Sequence, residues 1–363
     1  MVMHRSGMAT LPLHGGNCPP WLFKRMQKLS KLIFLGIVDT YGEKEFIRRI
    51  GNAFFLQALG CVIGFDWHSS GLTTTTMGAI KSAVNESDTG IRVVGGKGKL
   101  AKSVKQELAQ IEQEGCWEVK GIEKISRMTA KIDSACVQDG YSLYHHNVIF
   151  RGGEWCVIQQ GMNTRGGLYA RRYHWLSEGI ACEKDWFNDP HSDLMSERTE
   201  SKVLNLASRK NEEIRELSME IAQENIVWDG QTTLKSWNAP ERHWIDKRVD
   251  ISERDRRMLQ KISEINPSDY KELLLTEGVG AGALRALALT AELIYGAEIS
   301  WDDPVKFAYA HGGKDGIPFP VQRVDYDNTI EVLENALSGA DRTEKIAAIN
   351  RVRRFFFGEK ISV

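Results

Sequence analysis

Residues 142–160 read Ser142-Leu-Tyr-His-His-Asn-Val-Ile-Phe150, Arg151-Gly-Gly-Glu154 and Trp155-Cys-Val-Ile-Gln-Gln160. Two runs rich in β-branched and aromatic residues thus flank a glycine pair, which is the pattern of a β-hairpin. The run from Leu168 to Trp175 has the same character and predicts a further strand. We therefore expect a small, mostly antiparallel sheet in this part of the chain.

Helical patterns surround the predicted sheet. Apolar residues recur at spacings of three to four between Trp21 and Tyr41, which predicts a long helix with one buried face. From about Ile251 onward the sequence is typical of helices throughout. Further helices are expected over residues 44–61, 73–84, 103–113 and 208–224.

The chain has 363 residues, which is too long for one typical core and favours two or three domains. We predict an α+β (mixed) N-terminal domain with a small, mostly antiparallel sheet, followed by an all-helical C-terminal domain. The N-terminal domain, expected to be catalytic, covers residues 1–200. A helical connector covers 201–250, and the helical domain covers 251–363.

A helix-hairpin-helix pattern lies between Leu273 and Gly296. A short apolar helix is followed by Glu277-Gly-Val-Gly280 and by a long apolar helix. Gly278 and Gly280 let the backbone approach a phosphate, Val279 packs between the helices, and the second helix offers free N–H groups. Arg285 adds a cation one turn later. Such an element binds the DNA backbone without sequence specificity. The alternative is a plain tight turn between two core helices.

The composition is that of an ordinary globular protein. A net charge of −1 demands no nucleic acid, but a local basic surface remains compatible with it. The six cysteines form no Cys-x-x-Cys pair, which argues against a zinc knuckle. The sequence contains no signal peptide and no run of 18 apolar residues, so we expect a cytoplasmic protein without a membrane span.

Carboxylates in the first half suggest a metal site. Asp66, Asp133 and Asp139 are the predicted ligands, and oxygen ligands suit Mg²⁺ or Mn²⁺. Asp139 before the hairpin also fits a restriction-endonuclease-like nuclease, but the Lys expected on the second strand is replaced by Gln-Gln-Gly161, so Lys131 or Lys97 would have to take its place. The candidate general bases or acids are His68, His145 and His174, because imidazole titrates near neutral pH.

Two basic segments are candidates for phosphate contacts. Lys97 and Lys99 lie in the loop Gly95-Gly-Lys-Gly-Lys99, which resembles a phosphate-binding nest; a flexible loop is the alternative. Arg171 and Arg172 precede Tyr173 and suit DNA contacts, and a solvated strand edge is the alternative.

Several motifs resemble one known family. They are Thr10-Leu-Pro-Leu-His14, Gly64-Phe-Asp-Trp-His-Ser-Ser-Gly71, Gly95-Gly-Lys-Gly98, Gln138-Asp-Gly-Tyr141, Val157-Ile-Gln-Gln-Gly-Met162, Ala170-Arg-Arg-Tyr-His-Trp175, Asp303-Pro-Val-Lys-Phe307 and His311-Gly-Gly-Lys-Asp-Gly316. The family consists of uncharacterised archaeal and bacterial proteins, many from thermophiles, and is labelled only as a domain of unknown function. The resemblance covers nearly the whole chain. It implies an intracellular protein and supplies no catalytic assignment.

The sequence therefore favours a DNA-processing enzyme, a metal-dependent nuclease of DNA repair or defence. The density of polar residues between 131 and 175 supports an active site, because buried polar groups are costly unless they are paired or functional. One alternative is a non-catalytic DNA-binding repair factor, and another is an enzyme acting on RNA or nucleotides. The expected partner is DNA, and homo-oligomerisation or a helicase or repair partner stays open.

Overall fold

The structure is a computed structural model that describes residues 18–65, 70–115, 119, 121–163, 169–196, 199–223, 253–305 and 307–308. Two predicted site residues, Asp66 and His68, lie outside these ranges, as does the motif that begins at His311.

The described residues contain eight strands, which form two sheets. In chain order they are β1 (Arg92–Lys97), β2 (Val137–Gln138), β3 (Tyr141–Arg151), β4 (Glu154–Asn163), β5 (Ala170–Leu176), β6 (Asp193–Ser196), β7 (Leu204–Asn205) and β8 (Phe307–Ala308). The main sheet has the order β1-β3-β4-β5-β6-β8, and all neighbours are antiparallel except β6 and β8. β2 and β7 form a separate antiparallel pair. The predicted hairpin is confirmed as β3 and β4, with Arg151 opposite Glu154.

Ten helices lie in the described ranges. They are α1 (Pro20–Tyr41), α2 (Glu43–Ile50), α3 (Ala53–Val62), α4 (Ser70–Asn85), α5 (Val104–Gln113), α6 (Ile122–Lys131), α7 (Glu212–Gln223), α8 (Glu253–Ile265), α9 (Tyr270–Leu275) and α10 (Ala281–Tyr295). A π-helical turn at Ile132–Cys136 continues α6 toward β2. The mixed α+β class is thereby confirmed.

Helices cover both faces of the main sheet. Successive strand residues point to opposite faces, so Val157 of β4 belongs to one hydrophobic cluster and Ile158 to the other. The cluster around Ile158 takes its helical members from α1–α4. The cluster around Val157 includes residues of α5–α10. The helices therefore bury the main sheet on both faces.

The structure differs from the sequence predictions at three places. The helix expected over residues 44–61 is broken, because the Asn52 side chain accepts from the Phe55 N–H at 3.0 Å and starts α3 anew. The expected loop at residues 95–99 begins inside β1, which pairs with β3. After residue 251 we expected helices alone, but β8 pairs with β6 and extends the main sheet.

The division into domains at residues 201–250 remains a prediction. Buried residues before and after this segment, such as Trp175 and Leu284, belong to the same hydrophobic cluster. None of the helices in the described ranges combines the length and apolar character that a membrane span needs.

Gly95 allows a close approach between β1 and β3. Its φ is +87°, and a Cβ there would lie 2.1 Å from the carbonyl oxygen of His146. Gly98 has φ of +63° with nothing within 4 Å of its Cβ position. Positive φ alone costs an alanine about 1–2 kcal/mol, and the clash adds about 1–3 kcal/mol.

We therefore expect Gly95→Ala to lower the free energy of unfolding by about 2–5 kcal/mol, and Gly98→Ala by about 1–2 kcal/mol. Urea denaturation of both variants measures the difference. Equal losses would show that the contact with His146 does not constrain position 95.

Candidate functional site

Two helices of the C-terminal third are joined by a short turn, and we call Tyr270–Tyr295 the glycine hairpin. Gly278 in the turn has φ of +92°, a region that glycine adopts readily. A Cβ at this position would also lie 2.2 Å from Cε of Met258. Val279 is buried, and Gly280 is the N-cap of α10. Two helices joined by a short glycine turn are therefore present over the residues for which the sequence predicted a helix-hairpin-helix.

The N-terminus of α10 is open. Gly280 is extended, no side chain caps it, and nothing lies within 4 Å of its Cβ position. The first N–H groups of a helix have no acceptor within the helix, and they carry the positive end of its dipole. This end of α10 is therefore a favourable place for an anion.

Side chains of α6 and of the segment after it donate hydrogen bonds to the glycine hairpin. Lys131 Nζ donates to the Val279 carbonyl at 2.5 Å, and Gln138 Nε2 donates to the Ala281 carbonyl at 2.9 Å. Arg285 Nε donates to Gln138 Oε1 at 2.6 Å. Burial lowers the pKa of Lys131. Lys131 and Arg285, predicted for catalysis and DNA contact, therefore fasten the hairpin to the rest of the protein.

Asp133 is the centre of a buried polar network. It lies in the π-helical turn and is fully buried. Its carboxylate accepts from His191 Nε2 at 2.6 Å, from Gln159 Nε2 at 2.5 Å and from the Trp175 indole at 3.0 Å. A buried carboxylate needs such partners because losing water is costly. The structure thus gives Asp133 protein partners at both oxygens.

The network continues from Asp133 to a serine. Gln159 Oε1 lies 2.9 Å from His146 Nδ1, and His146 Nε2 lies 2.8 Å from the Ser126 hydroxyl. Burial lowers the pKa of His146, although the Gln159 bond and the charge of Asp133 oppose the shift. The imidazole is therefore uncharged near neutral pH.

A pocket of about 390 Å³ opens at this end of the network. Ser126, His146 and Gln159 line it, together with His145. Burial lowers the pKa of His145 to about 3, so this predicted catalytic residue is also uncharged. The cations that line the pocket are Lys102, Lys105 and Arg127, all exposed.

Arg171 has a structural role in place of the predicted DNA contact. The side chain is fully buried, and its Nη1 and Nη2 donate to the Asp303 carboxylate at 2.9 and 2.8 Å. Nη1 also donates to Asp139 at 3.0 Å, and the guanidinium lies over the Tyr141 ring at 4.6 Å. Burial opposes the charge, but both carboxylates raise the pKa of Arg171 well above its usual range. The side chain has no exposed surface in this structure, and its charge is balanced by carboxylates inside the protein.

Asp139 belongs to the same cluster. It accepts from Arg171, from the Tyr173 hydroxyl at 2.7 Å and from the Tyr141 N–H at 2.9 Å. Burial raises the pKa of Asp139, and the charge of Arg171 opposes the shift. Asp139 thus neutralises a buried guanidinium, which differs from the metal-ligand role that the sequence suggested.

Arg172 and His174 also differ from their predicted roles. Both are fully buried on the face that α3 and α4 cover. Arg172 donates to Thr73 Oγ1 and to Gln57 Oε1, each at 3.1 Å. His174 Nδ1 donates to the Gly51 carbonyl at 3.0 Å, and burial lowers its pKa well below the usual range. These contacts connect the sheet to α3 and α4.

Two of the predicted metal ligands have other partners. Asp133 and Asp139 belong to two different networks, and Asp66 lies outside the described residues. Within the described part of the chain, no group of three or more His, Cys, Asp or Glu side chains is arranged to hold a metal ion. Lys97 and Lys99, predicted to contact phosphate, are exposed at the end of β1 and just after it.

Sequence reasoning missed Ser126, His191 and Asp303. The sequence analysis includes His146 only in the first strand of the predicted hairpin, although the hairpin register places it opposite Gln159. The Gly152-Gly153 turn determines that register, so the sequence alone could predict that His146 lies opposite Gln159. Ser126 lies on a helix and has no local signal.

The Arg171 cluster supports a stability prediction. Asp303→Ala removes the bidentate partner of a fully buried guanidinium, which typically costs about 3–5 kcal/mol. Its neighbour Asp302 pairs with Lys210 at the surface, where Asp302→Ala costs about 0–1 kcal/mol. Chemical denaturation of both variants makes the comparison. A small loss for Asp303→Ala would mean that Arg171 does not depend on this partner.

Comparison with known proteins gives one match. The model of a family described as a protein of unknown function (DUF763) matches residues 7–321, a range that includes the pocket and the glycine hairpin. No curated protein and no solved structure matches. Because the match covers most of its length, the chain belongs to the DUF763 family of proteins of unknown function.

Proposed function

We propose that the protein binds DNA through the phosphate backbone, with the glycine hairpin as a helix-hairpin-helix element. The observation that carries the proposal is the open N-terminus of α10, which follows the buried Val279 and Gly278 with its positive φ. Backbone N–H groups and the helix dipole there suit a phosphate oxygen. They distinguish no base, so the binding is expected to be independent of sequence.

The surroundings of the glycine hairpin support this proposal. Arg127 of α6 is exposed, and its Nη2 lies 3.4 Å from the Leu275 carbonyl at the end of α9. A phosphate at the hairpin would therefore have a cation within the same surface. The docking bonds from Lys131 and Gln138 hold the turn in place, which reduces the entropy lost on binding.

Processing of the bound DNA remains part of the proposal, with a metal-dependent nuclease of repair or defence as its form. The described residues supply no ready-made site for Mg²⁺ or Mn²⁺, so this part depends on the sequence pattern that includes Asp66. A non-catalytic DNA-binding factor is the alternative.

Two variants whose side chains have nearly the same shape but differ in charge test the binding surface. Gly280→Asn and Gly280→Asp both fit the open space, and both side chains can cap α10. Only the aspartate adds a negative charge where the phosphate is proposed to bind. We expect Gly280→Asp to weaken duplex binding at least about tenfold relative to Gly280→Asn, with a thermal midpoint equal to or above wild type.

Fluorescence anisotropy with a labelled duplex of arbitrary sequence, over a range of salt concentrations, measures both affinities and the salt dependence. Absence of binding by the wild-type protein at low salt would refute the proposal. Equal affinities of the two variants would place the DNA elsewhere on the protein.

The nuclease proposal has its own test. Labelled duplex, single-stranded and branched DNA are incubated with Mg²⁺, with Mn²⁺ or with EDTA. A metal-dependent nuclease is expected to cut in the presence of either cation and to stop cutting in EDTA, and Gly280→Asp should lose cutting together with binding. Salt-sensitive binding, with no cutting under any of these conditions, would favour the DNA-binding factor.

A further inference from the structure

The pocket beside α6 contains a hydroxyl–imidazole pair. Ser126 and His146 are 2.8 Å apart, and both are more than nine-tenths buried yet line the pocket. A serine hydroxyl that donates to an uncharged imidazole is the arrangement of an activated nucleophile, provided that the imidazole is held in the correct tautomer.

The network behind His146 fixes that tautomer. Asp133 Oδ2 accepts from Trp175, whose indole can only donate, and it accepts from the Gln159 amide as well. The amide N–H of Gln159 therefore faces Asp133, and its oxygen faces His146 Nδ1. That oxygen requires a proton on Nδ1, which leaves the Nε2 lone pair free for the hydroxyl of Ser126.

The charge around the pocket indicates the substrate. Lys102, Lys105 and Arg127 line it and are exposed, while Lys105 shares its charge with Glu123 at 3.3 Å. Three cations against one carboxylate favour an anionic substrate. Arg127 is next to Ser126 on α6, lines the pocket and also contacts the glycine hairpin, so the pocket and the hairpin share one exposed cation.

We propose that Ser126 is a nucleophile for a phosphate ester, with His146 as its general base and with the DNA phosphodiester as substrate. The choice of DNA depends on the DNA binding proposed above. The Ser126 step uses no metal ion, so cutting that persists in EDTA would support it over a metal-dependent nuclease. The Ser126 oxygen forms a bond to phosphorus, its proton passes to His146 Nε2, and the phosphorus–oxygen bond to the departing strand breaks. His146 then gives the proton to the leaving oxygen. Water later attacks the phosphoserine ester with His146 as base, and the released Ser126 oxygen takes up that proton.

A fluorophosphonate with small alkyl groups tests the nucleophile without DNA. Its phosphorus bonds to the serine oxygen, fluoride leaves, and the proton passes to His146. We expect labelling at Ser126, located by peptide mass spectrometry, that is absent in Ser126→Ala and at least a hundredfold slower in His146→Gln. Ser142→Ala is the control, since Ser142 is an exposed serine of β3 that does not line the pocket, and the rate should be unchanged.

A second measurement tests the role of the cationic side chains that line the pocket. Inorganic phosphate should slow the labelling of wild type in a saturable way and should do so less in Lys102→Ala. Thermal melts confirm that each variant is folded. A folded wild-type protein that is not labelled, or is labelled at another serine, would overturn the proposal; labelling that phosphate does not affect would overturn the substrate class.

DNA enters in the last step. Labelled DNA mixed with wild type and quenched in denaturant should leave an adduct at Ser126 that survives denaturation. Gly280→Asp should lose this adduct and keep fluorophosphonate labelling. Labelling of Ser126 without any DNA adduct would retain the nucleophile and reject DNA as its substrate, so the two proposals fail separately.

Discussion

The carboxylate of Asp133 is the group on which much of the interior depends. It is fully buried, and its partners come from β4, from β5 and from the segment that contains His191. Loss of any one of these donors would leave the buried carboxylate without one of its partners and would strongly destabilise the fold. The donors to Asp133 are therefore held in fixed positions. The same constraint determines the orientation of Gln159, and through it the tautomer of His146. Structural and chemical requirements therefore coincide at one carboxylate.

Helix α6 joins the pocket to the glycine hairpin. Ser126 lines the pocket, while Lys131 at the end of the helix bonds to the turn of the hairpin. Individual hydrogen bonds of this kind contribute about 1 kcal/mol each. The burial of Val279 and Leu284 in the shared hydrophobic cluster contributes more, because a buried aliphatic side chain is worth about 1.5–3 kcal/mol. The position of the hairpin relative to the pocket is thus a property of the packed core.

Local patterns predicted much of the fold. The hairpin of β3 and β4, the long helix α1 and the glycine turn before α10 all follow from periodicity or from turn residues, which act over short distances. Arg171 and Arg172 were misinterpreted because charged side chains are normally exposed. Their burial depends on partners far along the chain; Asp303 is 132 residues from Arg171. No spacing rule reveals such a pairing, and the same is true of the bond between Ser126 and His146.

Polar density between residues 131 and 175 suggested an active site, but density alone does not separate structure from chemistry. Two of the buried networks in this region illustrate the difference. Arg171, Asp139, Tyr173 and Asp303 satisfy one another, and none of these four lines the pocket described beside α6. The network of Asp133 instead ends at a hydroxyl that does line the pocket. A closed network can only stabilise the fold, whereas one that ends at a pocket can exchange a proton with a substrate. The connection to the pocket, and not the number of polar residues, therefore assigns the chemistry to Ser126 and His146.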